Sequence, residues 1–293
     1  MTKILVTGAS GQLGSAVVSH LLKDGKIAAS DIIAASRNPA KLSALADQGV
    51  ETRAVDFDDA ASLEAAFAGV DRVLLISTDE LASPGKRLAQ HKAAVDAAAK
   101  AGVGHILYTS MPNPDKSLVS FAPDHLGTED AIKASGLAYT IIRNSWYIDN
   151  YFMGMPHNLQ AGMWFTSMGE GRVPNISRDD CAAAAAAAVA NPPAGNVTLT
   201  LTGAELLNAE EIAAAVSKAT GKPLKVVQVT DEQLAEGVAG AGMPPFVVDL
   251  IVSADANIRA GNFEVLTDVF ETLTGRKPQS VADFFEENKA ALG

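Results

Sequence analysis

Ile4-Leu5-Val6-Thr7-Gly8-Ala9-Ser10-Gly11-Gln12-Leu13-Gly14 is the stretch from which the rest of this chain can be read. Ile4, Leu5 and Val6 form a short, β-branched-rich apolar run suited to a parallel strand buried on both faces. After Gly11 the apolar residues Leu13, Val17, Val18, Leu21 and Leu22 recur at helical spacing, so the glycines mark a strand-to-helix junction. A turn that tight needs a residue free to take positive φ, a backbone bare enough for a phosphate to approach, and a helix start pressed against the strand. The first N–H groups of the helix and its dipole then make an anion site. Thr7, Gly8, Ser10, Gly11, Gln12 and Leu13 are therefore the expected dinucleotide contacts. The spacing Gly8-x-x-Gly11-x-x-Gly14 differs from the dinucleotide pattern with one residue between its first two glycines.

Working outward, strand and helix signals alternate through the first half. Residues 32–35, 51–55, 72–77, 105–109 and 139–143 read as strands, and 39–48, 60–67, 87–101 and 125–135 as helices. This predicts an α/β fold, a Rossmann-type doubly wound parallel sheet with right-handed crossovers. Past about residue 150 the pattern loosens into glycine- and proline-rich loops. An alanine-rich helix from 182, a strand at 197–201 and helices around 209–220, 231–239, 245–256 and 281–289 follow. The expected organisation is a dinucleotide-binding domain over 1–150 and a smaller, mostly helical substrate region over 151–293, with some segments returning to the sheet.

With 293 residues and 48% hydrophobic content the chain can bury a large core. A formal net charge of −11 argues against a nucleic-acid partner, because such a surface repels a phosphate backbone. The alanine run 182–190 is too short to span a bilayer, and no signal peptide is evident, so the expectation is a cytoplasmic protein without a membrane partner. Cys181, the one cysteine, reads as a small buried residue, and no His/Cys spacing suggests a metal site. A homodimer is one of several oligomeric states the sequence leaves open.

Ligands of such sheets bind at the carboxyl ends of the strands. The second strand finishes Ser36-Arg37-Asn38, with Lys41 a turn later and no acidic residue where an NAD site would hold the ribose hydroxyls. A guanidinium there suits a 2′-phosphate, so Arg37 and Lys41 point to NADP. Asp56 and Phe57 end the third strand and face the expected adenine position. Ser77 and Thr78 end the fourth, and Thr109 and Ser110 the fifth, with hydroxyls for the nicotinamide and ribose. Asn144, Trp146 and Tyr147 follow the sixth strand at the expected substrate mouth, an amide to fix an oxygen and two aromatics to stack on a flat ring. His125 is a candidate hydrogen-bond donor to an acceptor oxygen. Arg178, behind the cap-like Ser177, reads as a tie between the C-terminal region and the sheet.

Together, the Thr7–Gly14 turn, Ser36-Arg37-Asn38-Pro39-Ala40-Lys41, Leu75-Ile76-Ser77-Thr78, His105-Ile106-Leu107-Tyr108-Thr109-Ser110 and Arg143-Asn144-Ser145-Trp146-Tyr147 resemble the NmrA-like atypical short-chain dehydrogenases. Within that family the likeness is to the bacterial NAD(P)H:quinone oxidoreductases of type 2 and the related triphenylmethane dye reductases. It spans nearly the whole chain and accounts for the glycine spacing. The resemblance implies that the glycine turn and Arg37 bind the NADP phosphates and that the Asn-x-Trp-Tyr segment lies near nicotinamide and substrate. The Tyr-x-x-x-Lys pair of ordinary short-chain dehydrogenases is replaced, at its expected place, by His125-Leu126-Gly127-Thr128-Glu129. Ketone reduction needs a proton donor for the forming alkoxide, whereas an electron-poor conjugated acceptor gives a delocalised anion. The expectation is thus an NADPH-dependent oxidoreductase passing hydride to quinone-like or dye-like acceptors. A redox-sensing NADP-binding regulator with little catalysis is the alternative, and an isomerase is disfavoured for want of an acid–base pair.

Overall fold

The computed structural model describes residues 2–293. Its first half alternates β1 (Ile4–Val6), α1 (Gln12–Asp24), β2 (Ile32–Ser36), α2 (Ser43–Ala46), β3 (Glu51–Ala54), α3 (Ala60–Phe67), β4 (Arg72–Leu75), α4 (Lys86–Lys100), β5 (His105–Ser110), α5 (Ala122–Ala134) and β6 (Ala138–Asn144). The second half runs α6 (Met155–Ala161), β7 (Met163–Thr166), α7 (Arg178–Ala190), β8 (Val197–Leu201), α8 (Ala209–Thr220), β9 (Lys225–Gln228), α9 (Asp231–Gly240), α10 (Pro245–Arg259), α11 (Val269–Thr274) and α12 (Val281–Glu287). Seven strands make one parallel sheet in the order β3-β2-β1-β4-β5-β6-β8. The strand order reverses between β1 and β4, which fixes the ligand crevice at their carboxyl ends.

Each face of the sheet has its own core. Ile4, Val6, Leu74 and Ile142 pack with α1 and α7 on one side, while Leu5, Val73, Ile106 and Tyr108 pack with α3, α4 and α5 on the other. A third core, around Trp164, Ile212, Phe263 and Phe285, belongs to the C-terminal region. Helix α7 returns to the sheet: its alanines press on α1, and Arg72 donates to the carbonyls of Val189 and Ala190 at its last turn. Strand β8 then extends β6, so two segments beyond residue 150 complete the nucleotide-binding layer.

Some elements differ from the sequence expectation. The helix expected at 39–48 is split, because Asn38 caps a 3-10 turn (Pro39–Leu42) by accepting from the Ala40 N–H, and only Ser43–Ala46 is α-helical. Strand β4 stops at Leu75, since the Ile76 and Ser77 N–H groups turn to the hydroxyls of Thr7 and Thr109. Helix α5 starts at Ala122, three residues early, with Pro123 in the first turn where its missing N–H has no consequence. The C-terminal region also holds a two-stranded parallel sheet, β7 with β9. No helix among the described residues is long and apolar enough to cross a membrane.

Candidate active site

The glycine turn is open to solvent at Gly8, Ser10, Gly11 and Gln12, and Gly8 takes φ 61°. Gly11, the N-cap of α1, offers no side-chain acceptor, so the first-turn N–H groups stay available to an anion. Leu13 is half-buried. Thr7 is fully buried, and its hydroxyl splices β1 to β4 by donating to Leu74 O and accepting from Ile76 N–H at 2.9 Å. It shapes the turn rather than presenting a group to it. Ser10 and Ser36 share a 2.7 Å hydrogen bond that ties the turn to the end of β2. Arg37 and Lys41 project there, exposed. A turn with unengaged N–H groups beside two exposed cations fits a dinucleotide carrying an extra phosphate.

Further along the strand ends, most hydroxyls are already engaged. Asp56 caps the next turn, its Oδ1 accepting from Asp58 N–H, and Phe57 packs against the α3 and α4 side. Thr109 Oγ1 accepts from Ser77 N–H at 2.9 Å, and Thr78 N–H donates to His91 Nε2 at 2.9 Å. Ser110 donates to Glu129 Oε1 at 2.7 Å. That carboxylate, fully buried, also takes two bonds from Arg143 at 2.8 and 2.7 Å and one from Lys133. Burial by itself raises the Glu129 pKa; the bonds from Arg143 and Ser110, the Arg143 charge and Lys133 outweigh it and leave the pKa lowered.

Behind Thr78 lies a buried polar chain. Arg87, in the first turn of α4, donates through Nε to Thr78 O at 2.8 Å and through Nη2 to His125 Nε2 at 3.1 Å. Because arginine only donates, His125 Nε2 is an acceptor, and its Nδ1–H is the donor to Tyr108 Oη at 2.8 Å. His91 is arranged in the same tautomer, Nε2 accepting from Thr78 and Nδ1–H donating to Thr128 Oγ1. Burial, then the Arg87 charge, pushes His91 down to about 3 and His125 well below its ordinary value. His125 is neutral and has both ring nitrogens occupied, so it has no N–H left for an acceptor oxygen. Arg87 carries no signal in the sequence, where a first-turn arginine reads as solvent-facing.

Beyond β6, Asn144 donates through Nδ2 to Tyr147 Oη at 2.9 Å, and its Oδ1 is buried without a partner. Trp146 and Tyr147 diverge. Trp146 packs toward Phe263 in the C-terminal core at 5.9 Å, while Tyr147 lies against the α1 and α7 core with the Arg178 guanidinium 5.1 Å over its ring. Arg178 bonds Gln12 Oε1 and Asp149, joining the glycine turn to the segment after β6. Here a cleft of 790 Å³ opens, lined by Gln12, Asp149, Arg178, Phe152, Met153 and Phe284 among others. Cys181 is fully buried in the core between α1 and α7, and burial raises its thiol pKa, the environment of an unreactive cysteine.

Known proteins share this fold over nearly their full length. Quinone oxidoreductase 2 of Escherichia coli K12 is 34% identical over 280 residues, 96% of each chain. Its crystal structure with NADPH superposes with a TM-score of 0.92 at 33% identity, covering 98% of this chain and 99% of that one. The triphenylmethane reductase of Citrobacter sp., solved with NADP(H), gives 0.91 at 35% identity over 99% and 100% of the two chains. The NmrA-like family profile matches residues 1–277, and on that extent of shared sequence and fold the chain belongs to the NmrA-like family.

Proposed function

We propose that the protein is an NADPH-dependent oxidoreductase that passes hydride to quinone-like or other electron-poor conjugated acceptors. Residues 1–150, with α7 and β8, form the nucleotide-binding part of this reading, and the remaining C-terminal segments face the acceptor. The glycine turn holds the pyrophosphate, Arg37 and Lys41 the 2′-phosphate, and Ser77, Thr78, Thr109, Ser110 and Asn144 border the nicotinamide. Bound there, the dinucleotide supplies the hydride. One observation carries the choice of acceptor: at the strand ends His125, His91 and Ser110 have their polar groups engaged inside the protein, Tyr108 is fully buried, and no tyrosine in the chain is followed four residues later by lysine. A site without a tyrosine–lysine proton donor suits a substrate whose reduced form is a stabilised anion.

The test is direct. Purified protein mixed with NADPH and a small benzoquinone or naphthoquinone is expected to consume NADPH well above the uncatalysed rate, followed by the absorbance of the reduced nicotinamide. Tight NADPH binding with no consumption across several acceptors would sink the enzyme reading and leave a nucleotide sensor. For the cofactor, Arg37→Ala is expected to weaken NADPH about 10- to 100-fold, the loss of charge-assisted hydrogen bonds, and NADH by no more than about 3-fold. Equal weakening in the two titrations would place the 2′-phosphate elsewhere.

A further inference from the structure

A bound dinucleotide carries two clusters of negative charge. Arg37 and Lys41 stand where the 2′-phosphate is expected, whereas the glycine turn answers the pyrophosphate with the N–H groups and dipole of α1, about half a unit of positive charge. The chain's formal net charge is −11, and the cleft that includes Gln12 is lined by three carboxylates, Asp149, Asp179 and Glu287. Among the described residues lining it, Arg178 is the one cation. Its guanidinium bonds Gln12 Oε1, on the residue that opens α1, so it lies within one side chain of the anion site. It is also within reach of a ligand: the Arg178 side chain is 21% exposed, and Gln12 is exposed. Asp179 is turned to His20 Nε2 at 2.9 Å and Glu287 takes a bond from Gln279 Nε2 at 2.7 Å, which leaves Asp149, 3.1 Å from Nη1, to hold Arg178.

Asp149 accepts from the Arg178 backbone N–H at 2.8 Å as well as from the guanidinium, and the Tyr147 ring lies 5.1 Å from its central carbon. These contacts fix the root and the plane of the arm. Its remaining acceptors are two neutral amide oxygens, Gln12 Oε1 and Asn150 Oδ1, the second at a long 3.4 Å from Nη2. A phosphate oxygen is a stronger acceptor than either, because it carries charge and matches the guanidinium fork. We propose, building on the functional reading above, that Arg178 is a nucleotide-binding residue. Its guanidinium exchanges the amide oxygens of Gln12 and Asn150 for a pyrophosphate oxygen while Asp149 keeps it in place. The pyrophosphate is common to NADPH and NADH, so Arg178 sets affinity for both and leaves the choice between them to Arg37.

Binding titrations read this site without turnover. Arg178→Met is expected to weaken NADPH and NADH alike, each about 10- to 100-fold, so that the ratio of the two affinities stays as it is in the unaltered protein. Adenosine 2′-monophosphate, which has the 2′-phosphate and no pyrophosphate, should bind Arg178→Met as it binds the unaltered protein. Arg178→Lys should recover part of the loss, as a point charge without the fork. Asp149→Asn separates phosphate binding from a purely structural tie between segments. With the competing carboxylate gone, both nucleotides should bind about 3-fold more tightly, the scale of a partly exposed ion pair, whereas loosening a tie would weaken them. This variant keeps the question decidable if Arg178→Met does not fold. Unchanged nucleotide affinity in Arg178→Met, an equal loss for adenosine 2′-monophosphate, or weaker binding in Asp149→Asn would each overturn the proposal. The expected binding changes without quinone turnover by the unaltered protein would defeat the functional reading alone.

Discussion

Gly14→Ala is expected to abolish measurable NADPH binding and to destabilise the protein by about 3 kcal/mol or more, at or beyond the upper end of ordinary overpacking. A Cβ built on Gly14 lies 2.3 Å from Gly8 O, 2.7 Å from Gly8 C and 2.9 Å from Ala9 Cα. All three are backbone atoms, so no side chain can rotate out of the way; α1 must lift off the turn that its own first residues complete. Gly11→Ala is the control. Its Cβ meets one atom, Gly8 O at 3.2 Å, and Gly11 has φ −87°, open to any residue. That variant should fold and still bind NADPH, weakened by no more than about 10-fold, or 1.4 kcal/mol. Fluorescence titration and urea unfolding of the pair check both statements, and a Gly14→Ala protein that binds NADPH normally would show that the helix start does not form the anion site.

Glu129→Gln is expected to remove about 3 kcal/mol of stability, the low end for breaking a buried ion pair because Arg143 and Lys133 keep some solvent contact. The amide leaves Arg143 without its two-pronged carboxylate and Ser110 with a weaker acceptor. Since the Glu129 pKa is lower in the folded than in the unfolded chain, its contribution is fully present above the unfolded carboxyl range, near pH ~4.3, and drains away as pH falls through the folded value. Unfolding measured from pH 7 down to pH 3 should therefore show a steeper acid-side loss in the parent than in Glu129→Gln. Lys133→Ala, at the exposed end of the same cluster, should change stability by no more than about 0.5 kcal/mol. Equal losses in the two variants would mean that Lys133, not Arg143, carries the pairing.

What was legible in the sequence was the local chemistry. Alternating apolar runs placed the first six strands, since a buried parallel strand and an amphipathic helix each leave a periodic trace. Ser177 was readable as a cap, and it does accept the Asp180 N–H at 3.0 Å. Partnerships between distant segments left no such trace. The half-buried Val197–Leu201 run alternates like a strand in any small sheet, and only the fold shows it beside β6. Trp146 and Tyr147 look like a stacking pair when read as neighbours, yet an extended backbone sends consecutive side chains to opposite faces, one to Phe263 and the other to the α1 and α7 layer. His125 looked like a donor because nothing nearby in sequence announces Arg87, which reaches it across 38 residues.

The return of β8 also governs how this protein is made. Tyr139 N–H bonds Asn196 Oδ1 across 57 residues, and β6 pairs with β8 along Thr140–Asn144. During synthesis that edge stays unpaired until α6, β7 and α7 have emerged, and loop closure must precede the contacts that reward it. A fragment ending after β6 would present a parallel edge strand with Ile141 and Ile142 behind it, a template for pairing with another chain. The glycine turn at the first strand thus depends, for a sheet that stays closed to its neighbours, on a strand made two-thirds of the way along the chain.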